Sequence, residues 1–539
     1  MAQQKTLYSG GSIFTMDPIL PRAEAVFVEN GIIKAVGSMS DVSHLADANT
    51  RKIDLGGSFL VPGLIESHNH LSYFSLFTEQ CYLGGGACKT VDDVIAKLKD
   101  HASGVAEGEH IMGYCFDDTY TPELRALTKE DLDRVSTEVP VLVTHMSGHG
   151  GYVNTPALEM FGITNSTENP KGGWIDRDEH GNATGKLEEN AWFDTVVEKA
   201  PLPTDVGKIQ TLLKKGIKIF NEYGITAVHD AAIGIGGNGK SVVEAYETLE
   251  KNGELNMRAF ASWMMQADPD YQPEQIDGTG MGNRRFVVGG VKMFVDGSIQ
   301  INTAALQAPY LNNPKTKGEM VMTAEEIEAE LIGYHKRGEH ISIHANGDAS
   351  IEAVITAFEK AQQAHYRKDT RHMLIHCQMA HEDHIHRMKA AGVIPSFFGM
   401  HINYYGDRHV DIFLGQERAE RLDPCGDADR AGLDFTLHTD TPVMPPWTMK
   451  SMGTAVTRKT KGGRVLGEDQ RISPKQALAA YTTMAAKCSY SENQRGSISV
   501  GKLADLTLLS QDITLCDPEA IQDTKILKTI IEDQTIFEA

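Results

Sequence analysis

The stretch Val61–Leu71, VPGLIESHNHL, ends a short apolar run in His68 and His70, two imidazoles separated by one residue. Side chains two apart on a β-strand point to the same face. Both rings would therefore converge on one point at the strand's C-terminal end, where a metal ion could sit. By itself the pair reads equally well as two ligands or as two ordinary histidines beside a loop. What separates the readings is how many further strands of this kind follow.

Seven more segments have the character of buried strands: TAVHD (226–230), RAFASWM (258–264), VVGGVKMF (287–294), HISIHANGD (340–348), HMLIHCQ (372–378), GVIPSFF (392–398) and LDFTLHTD (433–440). Helix signals lie among them. Thr323 and Glu326 form a capping box ahead of EIEAELIGYHKR, with Gly338 as the stop. Ile351, Val354, Ile355 and Phe358 share one helical face. Ser473, Pro474 and Gln476 open a further helix. Eight strands alternating with helices predict an α/β fold, a (β/α)8 barrel of the TIM type, over residues 61–489.

The two ends differ from this middle. Residues 1–60 and 490–539 read as short strands with turns between them, and Asn30-Gly31 is a hairpin signal. One small composite β-sandwich built from both termini is expected. Between the first barrel strand and TAVHD lie about 150 residues, far more than a connection needs. Residues 75–205 are therefore expected to form an insertion over the active-site mouth. Within it, IMGYCF and VPVLVTHMSGH are strand-like, VDDVIAKLKDHA is helical, and KGGWIDRDEHGNATGKLEENAWF is loop-rich. Phe74, Phe77, Tyr82, Trp174 and Trp447 are candidate walls of an apolar pocket.

Polar groups stand near the C-terminal ends of five of the eight strands: His68 and His70, Lys292, His344, His376 and Asp440. Barrel active sites form at that face. Each residue alone has a structural explanation, but their joint placement is hard to explain as packing. A lysine inside VVGGVKMF would be desolvated, which favours the neutral amine. Such an amine can take up carbon dioxide as a carbamate, a bidentate anion able to bridge two metals. The competing explanation is a buried lysine paired with Asp296. His149, in SGHGGYVN, is a candidate for contacting substrate or stabilising an oxyanion. Asp348 is expected to cap the following helix or to support the site from behind its ligands. Glu189 is expected in a salt bridge or on the surface, and His381, His384 and His386 on a solvated helix face.

A formal charge of −22 argues against nucleic-acid or anionic-membrane binding as the main task. No leader-like or 18-residue apolar segment is evident, so a cytoplasmic location is expected. The seven cysteines are odd in number and none is spaced C-x-x-C, which disfavours a disulfide framework or zinc ribbon.

The chain resembles the amidohydrolase superfamily, within it the YtcJ-like branch that includes N-substituted formamide deformylases. The resemblance is carried by GLIESHNHL, SGHGGYVNTPAL, GKLEENAW, GITAVHDA, VKMFVDGS with TAALQAPY, ISIHANGDA, IHCQ, TDTPV and RGSISVGKLADLTLL, nearly the whole chain. It implies that His68 and His70 bind the more buried metal, that carboxylated Lys292 bridges, and that His344 and His376 bind a second metal. Asp440 would touch the first metal and act as general base. It also implies the composite sandwich. Two departures are Glu66-Ser67 where Asp-Ser is usual, and His438 before Thr439-Asp440.

Nitrogen and carboxylate ligands suit one or two divalent ions, zinc foremost. Water bound to such an ion can reach a pKa near ~7 and supply hydroxide to an amide carbonyl, with Asp440 shuttling the proton to the departing nitrogen. The expected activity is hydrolysis of a linear C–N amide bond in a small molecule, an N-substituted formamide or other N-acyl amine. A cyclic-amide hydrolase, a deaminase or an esterase on the same scaffold is the alternative. The bridging lysine, and Ala-Asn-Gly-Asp after His344, count against a deaminase. A non-catalytic binding or regulatory barrel is the reading from another class, and a homodimer is compatible with all of them.

Overall fold

The computed structural model describes residues 4–539 apart from 85–86, 107, 198–201, 266–267, 269, 277–280 and 283. Eight parallel strands form the barrel: β1 (Leu64–Asn69), β2 (Ile225–Ile233), β3 (Arg258–Met264), β4 (Phe286–Phe294), β5 (His340–Ala345), β6 (His372–His376), β7 (Val393–Phe398) and β8 (Thr436–His438). Each is hydrogen-bonded to the next, from β1 through to β8. All eight expected segments are strands. They are buried along nearly their whole length, which is why they read as apolar runs rather than as alternating patterns. The expected helices surround them, with the Thr323/Glu326 and Ser473/Gln476 capping boxes formed and Pro474 in the first turn.

Between β8 and β1, among the described residues, no ladder closes the ring. Side chains and one backbone bond join them instead. Ser67 Oγ donates to the Leu437 carbonyl at 3.1 Å, and the Thr439 N–H donates to Glu66 Oε1 at 3.0 Å. The His70 N–H donates to the Thr441 carbonyl at 2.9 Å. Glu66 is wholly buried, and burial pushes its carboxyl well above the ordinary range. The longer acid at 66 thus serves as a clasp on the last strand.

The eight-stranded terminal sheet draws Lys5–Phe14, Arg22–Glu29, Ile32–Gly37, Arg51–Asp54 and Phe59–Pro62 from one end of the chain. Leu506–Leu509, Ile526–Ile531 and Gln534–Glu538 come from the other end. Phe59–Pro62 pairs antiparallel with Leu506–Leu509 and joins the two sets. One core of Tyr8, Val26, Val28, Leu60, Leu506, Leu508 and Ile530 fills it. At the Asn30-Gly31 turn both residues have positive φ, +50° and +76°, as a primed hairpin turn requires.

A third, six-stranded sheet lies between Cys81 and Glu189. The segment that reads as loop-rich is in fact a β-hairpin, Gly173–Arg177 against Ala183–Glu189. Its inward positions are Ala183, Gly185, Leu187 and Glu189, too small or too polar to show the period of two that a strand is recognised by. The Asp178 carboxylate, accepting the His180 and Asn182 N–H groups, makes the turn. Arg408, beyond β7, fastens this sheet to the barrel through Asp117 at 2.6 Å.

The barrel and terminal sheet are locked by a buried charge network. Arg258, at the start of β3, is completely buried and pairs with Asp505 at 2.7 Å and Glu532 at 2.7 Å. Removing one partner of such a pair leaves an uncompensated charge in a low-dielectric interior. Asp505→Ala is expected to destabilise the fold by about 3–5 kcal/mol, read as a lower urea midpoint of the barrel–sheet unit.

Candidate metal centre

The five strand ends converge. His68 is the penultimate residue of β1, and His70 lies just beyond the strand. Asp440 lies two residues past β8, with one carboxylate oxygen toward the first strand and the other toward the sixth. Oδ1 is 3.2 Å from His68 Nε2 and 3.3 Å from His70 Nε2, while Oδ2 is 3.9 Å from His376 Nε2. The His344 and His376 rings stand 4.5 Å apart, and His68 and His376 5.5 Å. His376 and Asp440 have positive φ, +66° and +56°. These are strained conformations for side-chain-bearing residues, of the kind that cluster at functional sites.

The ring orientations limit what each imidazole can do. His70 Nδ1 lies 3.0 Å from the Ala231 carbonyl and His344 Nε2 3.2 Å from the Gly297 carbonyl. A carbonyl only accepts, so His70 Nδ1 carries the proton and its Nε2 is left for the site, whereas His344 Nε2 meets both the Gly297 carbonyl and, at 3.1 Å, the Asn346 amide nitrogen. His68 is fully buried, and neither of its ring nitrogens makes a hydrogen bond; Asp440 Oδ1 makes none either. Orphaned donors and acceptors of this kind are costly. One atom each of His68, His376 and Asp440 lie within 4.8 Å of one another. A divalent cation fits this donor set, because it would satisfy the imidazole lone pairs and the carboxylate at once.

Protonation supports the fit. Burial, followed by Lys292, drives the His68 imidazole well below its ordinary value, and burial does the same to His344 and His376. Burial pushes the Asp440 carboxyl up, but the nearby His70, followed by His438 and Lys292, outweighs that and holds it below its ordinary value. The rings are thus neutral and the acid ionised, the states in which each can ligate a metal.

Lys292 has no hydrogen bond or ion pair from its side chain among the described residues. Asp296, the expected alternative partner, is fully engaged elsewhere. It accepts the N–H groups of Ala305, Asn346 and Gly347 at 3.0, 3.0 and 2.9 Å and the Ser350 hydroxyl at 2.7 Å. It is the peg on which the loops after β4 and β5 hang. Burial brings the Lys292 amine down to about 7 against the opposing pull of Asp440.

The inserted sheet contributes the far wall. His149 Nδ1 meets Glu189 Oε2 at 3.0 Å, and the His149 ring lies 5.1 Å from that of His344. Glu189 is buried, with a strained φ of +48°, so the expected salt bridge exists but the surface position does not. Burial lowers His149, but the Glu189 carboxylate, with Asp296 and Asp440 behind it, more than compensates and leaves the imidazole above its ordinary value. The loop that carries His149 is braced locally: the Ser147 N–H and hydroxyl both meet His145 Nδ1, at 3.1 and 2.8 Å, and His145 Nε2 faces Asp118 at 3.4 Å.

The cavity between these walls holds about 340 Å³. His70, His149, Lys292, His344, His376 and Asp440 line it on the polar side, and Tyr73, Phe193, Ile235, Met264, Phe294 and Val443 on the apolar side. None of the five aromatics expected there reaches it. Helix Leu71–Phe77 turns Tyr73 to the cavity and packs Phe74 on Phe220 instead. Two smaller expectations also change. Asp348 is the first residue of its helix, not the cap, and accepts the Gln307 N–H at 2.7 Å. His384 is buried on Glu352 at 3.1 Å, whereas His386 is solvated. Nothing in the local sequence pairs His149 with Glu189, since one lies in a loop and the other ends a strand of a hairpin that is unreadable in the sequence.

The chain matches the Amidohydrolase family over residues 51–537. It belongs to that family. It is 29% identical to the Bacillus subtilis (strain 168) protein YtcJ, over 99% of both chains. It is 26% identical to the N-substituted formamide deformylase of Arthrobacter pascens, over 98% of this chain and 97% of that one. An uncharacterized metal-dependent hydrolase from Pyrococcus horikoshii OT3 has the same fold, with a TM-score of 0.74 at 22% identity, covering 96% of this chain and 99% of that one. This amidohydrolase is accordingly a hydrolase of a metal-dependent superfamily on a barrel scaffold. No helix among the described residues is long and apolar enough to cross a membrane.

Because Glu189 raises His149, their pair adds stability below the unfolded histidine pKa and loses it as pH rises through the folded value. The stability lost on Glu189→Gln is therefore expected to be larger at pH 6 than at pH 9, measured by denaturant titration at both.

Proposed function

We propose that this amidohydrolase hydrolyses the linear C–N amide bond of an N-substituted formamide or another small N-acyl amine. The observation that carries the reading is Asp440, an ionised carboxylate among neutral imidazoles at the floor of an apolar cavity. The Arthrobacter pascens relative supports the substrate class, and the cavity's size and apolar wall suit a small uncharged substituent on the amide.

His68, His70, His344, His376, Asp440 and a carbamate on Lys292 would hold one or two divalent ions, zinc foremost. The metal would supply Lewis acidity, polarising the amide carbonyl and acidifying water. The remaining work falls to the chain's own groups. Asp440 takes a proton at a carboxylate oxygen from the attacking water and returns it to the departing nitrogen, acting as base and then acid. His149, held cationic by Glu189, donates from Nε2 to the carbonyl oxygen as negative charge grows there. Tyr73, Phe193 and Phe294 hold the substituent and keep bulk water from the reacting carbon.

Asp440→Asn is expected to lower kcat by about 10²–10⁴-fold while metal content, read by elemental analysis, stays near that of the parent; retained turnover would remove Asp440 from its role. His149→Ala should cost about 10²–10³-fold in kcat. The substrate class is tested by offering metal-loaded protein a series of N-formyl, N-acyl and cyclic amides. Turnover confined to cyclic amides would overturn the linear-amide reading. A chain that carries no divalent metal, and gains no hydrolytic activity when metal is added, would favour a binding protein.

A further inference from the structure

Behind His376 a chain of hydrogen bonds leads away from the cavity through the barrel interior. His376 Nδ1 meets His438 Nε2 at 3.1 Å, and His438 Nδ1 meets Ser396 Oγ at 2.9 Å. Ser396 Oγ meets Ser67 Oγ at 3.3 Å, and Ser67 Oγ meets the Leu437 carbonyl oxygen at 3.1 Å. The four side chains come from β6, β8, β7 and β1 and are all buried. Ser67, Ser396 and His438 are at most 1% exposed, so their bonds are satisfied by one another.

The polarity of the chain follows from its far end. A carbonyl oxygen can only accept, so the Ser67 hydroxyl donates to Leu437. Having spent its one proton there, Ser67 Oγ accepts from Ser396. Ser396 in turn accepts from His438 Nδ1–H. A neutral imidazole protonated at Nδ1 is an acceptor at Nε2, so His438 accepts from His376 Nδ1–H. His376 is then left with a lone pair on Nε2, the nitrogen that faces Asp440 Oδ2. Run the other way, the chain would place a proton on Nε2 and set the Leu437 carbonyl against a serine oxygen with no proton between them.

We propose that Ser67, Ser396 and His438 form a positioning relay that fixes the tautomer of His376 and presents its Nε2 to a divalent metal. The inference rests on the metal reading of His376 given above. The three residues touch neither metal nor substrate; they act through His376. Because the terminal bond is also one that joins β1 to β8, the orientation of a ligand on β6 is tied to the closure of the barrel.

The test uses the full chain, stripped with a chelator and titrated with zinc chloride against a chromophoric competitor. His438→Ala is expected to weaken zinc binding by about 10–100-fold, the range found when a ligand's hydrogen-bond partner is lost. Ser396→Ala should weaken it in the same direction, since His438 is then free to carry its proton on Nε2. His438→Gln should recover most of the affinity, because its side-chain oxygen can accept the same proton. The cobalt-substituted protein gives a second readout: its visible d–d absorption should change in His438→Ala and return toward the parent in His438→Gln. Parent-like zinc affinity in both alanine variants would overturn the relay and leave the metal reading intact. If His438→Ala does not fold, Ser396→Ala, which removes a single hydroxyl, decides alone. A parent protein that binds no divalent metal would overturn the metal reading, and the relay with it.

Discussion

The first and last strands of the barrel meet without a ladder, and the molecule is arranged around that seam. A parallel barrel must close, yet β8 spans three residues and among the described residues shares no ladder with β1. The join is made by Glu66 and Ser67 reaching across to Thr439 and Leu437. The residues immediately beyond these contacts are His68, His70 and Asp440. The clasp that closes the barrel therefore also sets the 3.2 and 3.3 Å approaches of the Asp440 carboxylate to the two imidazoles.

Desolvation then acts on everything held at that mouth. It keeps the His68, His344 and His376 imidazoles neutral and brings Lys292 down to about 7, while His70, His438 and Lys292 around Asp440 outweigh its burial and hold its carboxyl below the ordinary value. Asp296 makes this possible from behind. By taking four donors of the β4 and β5 loops it is withdrawn from Lys292, which leaves the amine without a carboxylate partner. A single packing choice, where one aspartate points, determines whether the lysine is half of an ion pair or an open nucleophilic amine.

The inserted sheet completes the cavity with a group of opposite character. His149 is the one imidazole of the site raised above its ordinary value, and Glu189 is the principal reason. The barrel floor thus offers neutral nitrogens, and the roof an imidazole that its carboxylate partner biases toward the protonated form. The apolar wall is drawn from both, with Phe294 from β4 and Phe193 from the segment after the inserted hairpin.

The eight barrel strands, their helices, the terminal strands and the converging set His68, His70, Lys292, His344, His376 and Asp440 were all legible in the sequence. Strands buried on both faces must be apolar throughout, capping boxes are local, and a parallel barrel sends every strand's C-terminal end to one face. What was not legible depends on contacts between distant segments. The hairpin 173–189 hides its alternation behind glycine, alanine and a buried glutamate. The Glu189–His149 pair spans 40 residues. Tyr73 rather than Phe74 faces the cavity because of a rotation of helix Leu71–Phe77 that only its packing on Phe220 sets. His384 is buried by an acid from the neighbouring helix. Periodicity and capping signals pointed to the scaffold and to the polar groups at its strand ends, since both follow from backbone geometry, and the roles of those groups came from the family resemblance. Which carboxylate meets which base, and which ring lines the cavity, was decided only by the tertiary structure, because burial and hydrogen-bond partnership are properties of the neighbours and not of the residue.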